Sequence, residues 1–182
     1  KPLQKGGNMP SWESLLTTAF LWGLALSLIL LVIMTASMVL APDMWVGDYP
    51  PDIREKYGPM RPRSARLRPF VAVAFFFAVL AVPLLALLTL FSTVGRLSFL
   101  TALLSTFMIL FVFNAFDLLV LDWFLFCTLR PRFIVLPGTE GMAGYRDYRF
   151  HFVGFLKGLG FCLVGAVVVA GLWMVGQAVF LH

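Results

Sequence analysis

The chain has 182 residues, of which 60% are hydrophobic and 13% are charged, and its formal net charge is +5. A soluble domain usually has about half apolar and about a quarter charged residues, so this composition excludes a soluble globule and predicts an all-α, polytopic integral membrane protein. The two cysteines lie in apolar runs without metal-ligand or redox spacing, and we expect no disulfide, metal site or cofactor.

Four apolar stretches predict a bundle of four transmembrane helices in a single domain, residues 1–182. The spans cover about residues 15–40, 70–93, 98–129 and 155–181. Each exceeds the roughly 20 residues that a helix needs to cross a bilayer. Residues 1–8 precede Met9 and resemble neither a span nor a signal peptide. We interpret them as the remnant of a linker or tag. Ser11 and Ser98 are the expected N-caps of the first and third spans.

The first long loop, residues 42–69, ends in the polybasic stretch RPRSARLRP. It carries four arginines, Arg61, Arg63, Arg66 and Arg68. They predict contact with anionic lipid headgroups, at about 1 kcal/mol per basic residue near the surface. Pro69 suits the first turn of the second span, where backbone N–H groups lack partners. Pro83 lies inside that span and predicts a kink.

The third span carries two carboxylates, Asp117 and Asp122, in the run FDLLVLDW. Residues 97–116, which follow Arg96, hold no charge and cover about 30 Å at 1.5 Å per residue. Asp117 is therefore predicted near the inner membrane boundary, and Asp122 in the headgroup region. Five residues of α-helix turn through about 140°, so the two carboxylates are not expected to share a face, whereas Asn114 and Asp117 are.

Lys157 lies 25 residues before His182, or about 37 Å along a helix, which places it at a depth similar to that of Asp122. Because an unpaired charge is costly at a membrane boundary, we expect Lys157 to form an ion pair with Asp122 or Asp117. The candidate polar residues inside the membrane are Asn114, Asp117, Asp122 and Lys157. Structural pairing, ion or proton coupling, and catalysis all stay open for them.

The second long loop, residues 130–150, belongs to the motif-like stretch RPRFIVLPGTEGMAGYRDYRFHF. It lacks the Lys-Ser/Thr pair of a phosphate loop, and its alternation of aromatic and polar side chains is typical of a membrane interface. The interfacial candidates are Arg130, Arg132, Glu140, Arg146, Asp147 and His151. With no second internal histidine, His151 is interpreted as a hydrogen-bonding residue and not as a metal ligand.

Small residues recur at every fourth position of the fourth span. This small-residue stripe consists of Gly154, Gly158, Cys162, Ala166 and Ala170. Small side chains let helix backbones approach closely, which drives helix association in lipid. The stripe predicts packing inside the bundle or, alternatively, a dimer seam or a seat for a partner's helix.

The basic residues predict the orientation of the spans. Six Lys or Arg residues lie in the first loop and five in or beside the second, 11 of the 14 in the chain. The positive-inside rule then places both long loops in the cytoplasm and both termini outside.

Three short stretches of the sequence, in the loops and the third span, are similar to those of a known group of proteins. DYPPDI after the first span, LDW in the third and PGTEGMAGYRDYRFHF before the fourth resemble a group of small four-span bacterial integral membrane proteins with no established function. The resemblance covers nearly the whole chain and implies a four-helix architecture in a bacterial plasma (inner) membrane. It implies no catalytic residue.

These observations favour an accessory or scaffold subunit, or a self-associating membrane protein, without a catalytic set. Its expected partners are the bilayer, another copy of the chain or a partner membrane subunit, and not nucleic acid. One alternative is a small transporter or channel subunit, which predicts a cavity that reaches Asn114. The other is a lipid-active enzyme at the cytoplasmic interface, which predicts that the interfacial candidates converge at one lateral groove.

Overall fold

A computed structural model describes residues 10–180, which form helices and turns without a β-strand. The helices are α1 (Trp12–Leu40), α2 (Pro51–Tyr57), α3 (Pro62–Val94), α4 (Phe99–Phe116) and α5 (Tyr148–Phe180). A π-helical continuation of α4, the π segment (Asp117–Leu129), follows without a break. Four helices in this range are long and apolar enough to cross a membrane, as predicted. The interpretation of residues 1–8 lies outside the described residues.

Hydrogen bonds from the expected caps begin two of these helices. The Ser11 hydroxyl accepts the Ser14 N–H at 3.2 Å, and the Ser98 hydroxyl accepts the Thr101 N–H at 3.1 Å. Such caps satisfy N–H groups that have no partner inside the helix. Between α3 and α4 the chain turns at Gly95, whose φ of +84° suits a glycine.

The helix α3 begins eight residues before the predicted span, so most of the polybasic stretch is helical. A distant carboxylate explains this early start. Asp43 accepts hydrogen bonds from the Arg61 N–H and the Ser64 hydroxyl, both at 2.5 Å, and so caps α3 from the preceding loop. Pro69 therefore lies inside α3, and its predicted first-turn position is wrong.

Three buried apolar clusters follow one another along the bundle. The middle cluster includes Leu26, Leu30, Val82 and Ile109. Near the α3–α4 turn, a second cluster includes Leu15, Leu90, Leu97 and Trp173. There Gln177 accepts the Leu97 N–H at 2.9 Å and donates to the Leu97 carbonyl at 3.1 Å, which fixes α5 to this turn. The third cluster lies at the opposite end, among the long loops.

The two long loops pack against each other and form a structured cap on one end of the bundle, here called the loop cap (residues 42–61 and 130–147). The Tyr49 hydroxyl donates to the Ile134 carbonyl at 2.8 Å. Asp52 accepts the Gly144 N–H at 2.9 Å, and a Cβ at Gly144 would overlap the Asp52 carboxylate. The side chains of Tyr49 and Asp52 in the first loop thus form hydrogen bonds with the backbone of the second loop.

The π segment changes which side chains share a face. Its hydrogen bonds join residues five apart, as in the Arg130 N–H bond to the Leu125 carbonyl at 2.8 Å. In an α-helix the fifth residue lies about 140° away, but in a π-helix it lies one turn along on nearly the same side. Asp117 and Asp122 therefore share a face, and the prediction that they do not is wrong. π-Helical segments occur frequently at functional sites.

Candidate functional site

A cavity of about 450 Å³ lies between the loop cap and the middle cluster; we call it the acidic cavity. Its polar lining residues are Asp48, Asn114, Asp117, Asp122 and His151. Seven aromatic side chains also line it: Trp45, Tyr49, Phe75, Phe126, Phe150, Phe155 and Phe161. Among the described residues that line it, none is Lys or Arg. Its volume is in the range of small-molecule sites, roughly 300–1,000 Å³.

His151 is a buried polar side chain in the wall of this cavity. It is 5% exposed, and the rings of Phe126 and Phe150 contact it edge-on, with centroids 4.7 Å and 5.4 Å away. Its Nδ1 lies 2.9 Å from Asp122 Oδ1. At this distance the imidazole nitrogen and the carboxylate oxygen pair with each other, which fixes the orientation of the ring. Nε2 is buried without a hydrogen-bond partner among residues 10–180 and is the nitrogen left for a ligand.

The deeper end of the cavity is formed by Asp117 and Asn114. The Asn114 amide donates to the Phe155 carbonyl at 3.1 Å, and its side-chain oxygen lies against Gly158. Asp117 Oδ1 is buried and accepts no hydrogen bond from the described chain. Buried polar atoms are almost always hydrogen-bonded in native proteins. Two unpartnered buried atoms on one cavity, Asp117 Oδ1 and His151 Nε2, therefore indicate a binding site.

Asp48 lies at the exposed edge of the acidic cavity, in the loop before α2. Partial burial raises the pKa of Asp48, Arg68 opposes this, and the nearby Asp122 carboxylate raises the pKa further. Asp48 therefore adds a third carboxyl group to the site, close to Asp122. Sequence reasoning missed Asp48. The only signal was an acidic residue within the aromatic stretch MWVGDY.

The expected Lys157 ion pair is wrong. Lys157 is exposed, and within residues 10–180 the Asp122 carboxylate contacts His151 instead. The depth of a residue along a helix does not determine which face of the helix it lies on. Lys157 follows His151 by six residues, which turns it about 240° around α5. It therefore points away from the face that carries His151.

The interfacial candidates lie in different places. Arg130, Arg132, Glu140 and Arg146 line a separate cavity in the loop cap. Asp147 instead caps α5 by accepting the Phe150 N–H at 2.9 Å, and His151 lines the acidic cavity. They do not converge at one groove, as the lipid-active enzyme requires.

The small-residue stripe packs mainly inside the bundle. Cys162, Ala166 and Ala170 are buried, and a Cβ at Gly158 would overlap the Asn114 amide. Gly154 is the exception: it is exposed, and a Cβ there would meet no described heavy atom within 4 Å. Close approach at Gly158 brings α5 against Asn114 and so helps to shape the acidic cavity.

Within residues 10–180, no group of three or more His, Cys, Asp or Glu side chains is placed to hold a metal ion. The chemistry of the acidic cavity is instead that of anionic and aromatic groups with one imidazole. Comparison with protein-family models, with curated proteins and with solved structures finds no match to this chain, so its resemblance to four-span bacterial proteins stays a prediction.

Proposed function

We propose that the chain is a small transporter or channel subunit whose acidic cavity binds a small organic cation. One observation carries this proposal: three carboxylates and seven aromatic side chains surround a cavity whose described lining includes no Lys or Arg. Carboxylates attract a cation, and aromatic faces stabilise it through their quadrupoles, as in aromatic cages for quaternary ammonium groups. Ionisable side chains inside transmembrane helices commonly mark substrate or ion pathways.

Three of the polar residues have distinct parts in this proposal. Asp117, with its unpartnered oxygen, is the main counter-ion of the bound cation. Asp122 holds the His151 ring in one orientation, as its 2.9 Å contact with Nδ1 supports. Nε2 of His151 then accepts a hydrogen bond from a ligand N–H or exchanges a proton with it.

The membrane setting is part of the proposal. The two long loops and the residues beside them hold 11 of the 14 basic residues, so the positive-inside rule supports a cytoplasmic loop cap and external termini in a bacterial plasma membrane. In that orientation the acidic cavity lies toward the cytoplasmic end of the bundle.

This orientation is testable with an impermeant maleimide. Glu140 is exposed in the loop cap, whereas the native Cys127 and Cys162 are buried. Glu140→Cys is expected to react in inverted vesicles and to stay unlabelled in intact cells. Labelling in intact cells contradicts the orientation.

The accessory or self-associating subunit draws less support from the geometry. Its main basis was the small-residue stripe, most of which is buried within the described chain. The lipid-active enzyme loses its basis because its candidate residues are divided between two cavities.

Tetramethylammonium is a suitable probe, because it is permanently charged and does not leak through lipid as a neutral amine. We expect calorimetric binding to the purified protein and potential-driven uptake of the labelled ion into proteoliposomes. Asp117→Asn is expected to weaken binding about 30-fold, because loss of one partner of a buried charge pair costs about 2 kcal/mol or more.

Glu55→Gln is the matched control, since it removes the same charge from an exposed position outside the cavity. Equal binding by Asp117→Asn and Glu55→Gln would overturn the proposal. Binding without uptake would retain the cation site and reject transport.

A further inference from the structure

A second cavity, of about 360 Å³, lies wholly within the loop cap; we call it the arginine cavity. Its charged lining residues are Arg130, Arg132, Arg146 and Glu140. It shares no lining residue with the acidic cavity. We propose that the arginine cavity binds the phosphate group of an anionic ligand.

The charges in this cavity are unbalanced. Three guanidinium groups face one carboxylate, and no carboxylate of the described chain lies within 4.0 Å of any of the three. The Glu140 carboxylate instead accepts the Gly138 N–H at 3.2 Å. Guanidinium groups match phosphate oxygens with paired, charge-assisted hydrogen bonds. Three of them around one cavity leave a surplus of donors that a dianionic or monoanionic phosphate satisfies.

The cavity wall is a fixed platform. Tyr145, which lines the cavity, is buried, and its hydroxyl accepts the Leu136 N–H at 2.9 Å. The same hydroxyl lies 2.7 Å from the Thr139 hydroxyl. Tyr49 secures this loop to the first one through the Ile134 carbonyl. Because these bonds are buried and local, the loop holds its arginines in place before a ligand arrives, which reduces the entropy lost on binding.

Arg130 adds an independent observation. Its φ of +49° lies in the left-handed region, the one such case among the described residues other than glycine. A left-handed conformation is unfavourable for a residue with a Cβ, and such outliers cluster at functional sites. Its backbone N–H bonds to the Leu125 carbonyl at 2.8 Å and its guanidinium to the Cys127 carbonyl at 3.0 Å. These contacts hold the half-buried side chain in the cavity wall.

Two sources supply the same phosphate chemistry: the headgroup of an anionic phospholipid and a soluble phosphate compound. Two probes separate them. Phosphatidylglycerol is titrated against the detergent-purified protein and counted by native mass spectrometry, with phosphatidylcholine as the neutral-headgroup reference. Inorganic phosphate is titrated in thermal unfolding at constant ionic strength.

The test variant is Arg132→Gln/Arg146→Gln, which removes two exposed guanidinium groups and leaves the platform intact. The matched control is Arg96→Gln/Arg149→Gln, which removes two exposed guanidinium groups that lie outside the arginine cavity. We expect one of the two probes to bind the wild type and the control variant with about equal affinity. The same probe should bind the test variant about tenfold more weakly, because charge-assisted hydrogen bonds are stronger than those between neutral groups.

Selective loss of phosphatidylglycerol identifies a lipid headgroup site, and selective loss of phosphate stabilisation identifies a soluble ligand. Equal loss in both double variants would overturn the proposal, since it would show a general charge effect. Absence of binding by either probe to the wild type would also overturn it. Unfolding midpoints without ligand verify that the test variant folds.

Discussion

At the scale of single residues, the acidic cavity depends on the absence of a side chain at Gly158 as well as on the polar groups of Asn114, Asp122 and His151. Gly158 lets Asn114 approach α5, and the Asn114 amide then bonds to the Phe155 carbonyl. Asp122 similarly fixes His151 through Nδ1 and leaves Nε2 for a ligand. Spacing along the chain placed Asn114 and Asp117 together, but it gave no sign of Asp48 or of the Asp122–His151 contact.

Gly158→Ala is expected to destabilise the protein by about 1–3 kcal/mol, the usual range for overpacking. The added Cβ overlaps the Asn114 amide, which is tied to α5 and has little freedom to move. Unfolding by SDS in mixed micelles measures the change. Gly154→Ala, one turn earlier on an exposed site, is the control and should change stability by less than about 0.5 kcal/mol. Equal effects at both sites would contradict the contact.

Asp122→Asn and His151→Gln are expected to act as one unit on cation binding. If Asp122 serves to orient His151, the double variant should bind trimethylammonium, whose single N–H can donate to Nε2, about as weakly as His151→Gln alone. Contacting residues typically show coupling of about 0.5–3 kcal/mol in such a cycle. Calorimetry on the four proteins measures it, and additive losses would show that the two side chains contribute independently.

At the scale of elements, the sequence predicts well that four long helices form. It predicts poorly where α3 begins and that part of the third span is π-helical. Long apolar runs determine where four helices form, because membrane-spanning backbone must satisfy its own hydrogen bonds. The start of α3 depends instead on Asp43, which lies in a different element. The π segment was also missed, because an apolar run on all sides has no periodicity that distinguishes 3.6 residues per turn from a wider helix.

Asp43→Ala is expected to loosen the first turn of α3. The substitution leaves the Arg61 N–H and the Ser64 hydroxyl without their common acceptor, and loss of a cap typically costs about 1 kcal/mol. Hydrogen exchange of amides 61–66 should become faster, while amides near the middle of α3 stay protected. Unchanged exchange over 61–66 would show that α3 begins at Pro62 without help from Asp43.

At the scale of the whole molecule, contacts between residues far apart in sequence close one end of the bundle. The Tyr49–Ile134 and Asp52–Gly144 bonds span 85 and 92 residues. Local sequence patterns do not predict hydrogen bonds between residues so far apart. The sequence therefore predicts the loops only as interfacial segments. The first loop lines part of the acidic cavity, and the second loop lines the whole of the arginine cavity. Both proposed sites therefore depend on the same cap.

The buried tyrosines of this cap predict a loss of stability in alkali. Burial raises the pKa of Tyr49 above its ordinary 10.0, and nearby Tyr145 and Asp48 raise it further. Above about pH 10 the unfolded chain releases the Tyr49 proton while the folded chain keeps it. The free energy of unfolding therefore falls as pH rises, by up to about 1.4 kcal/mol per pH unit for one such group.

Tyr49→Phe removes this dependence along with the hydrogen bond to Ile134. The variant should be less stable than the wild type at pH 8, but its stability should fall less steeply between pH 10 and 12. Denaturant midpoints over that range measure both effects. Parallel slopes for the two proteins would contradict the burial of Tyr49 as the cause.

The Gln177–Leu97 contact at the other end of the bundle has a consequence for how the sequence can vary. The Gln177 side chain bonds to the backbone N–H and the backbone carbonyl of Leu97, and the Leu97 side chain takes no part in these hydrogen bonds. Substitution of residue 97 by another apolar residue therefore keeps the contact, whereas substitution of residue 177 removes it and leaves two buried backbone groups unpaired. Position 177 is therefore expected to require an amide side chain. Position 97 is expected to accept any apolar side chain that packs in its place.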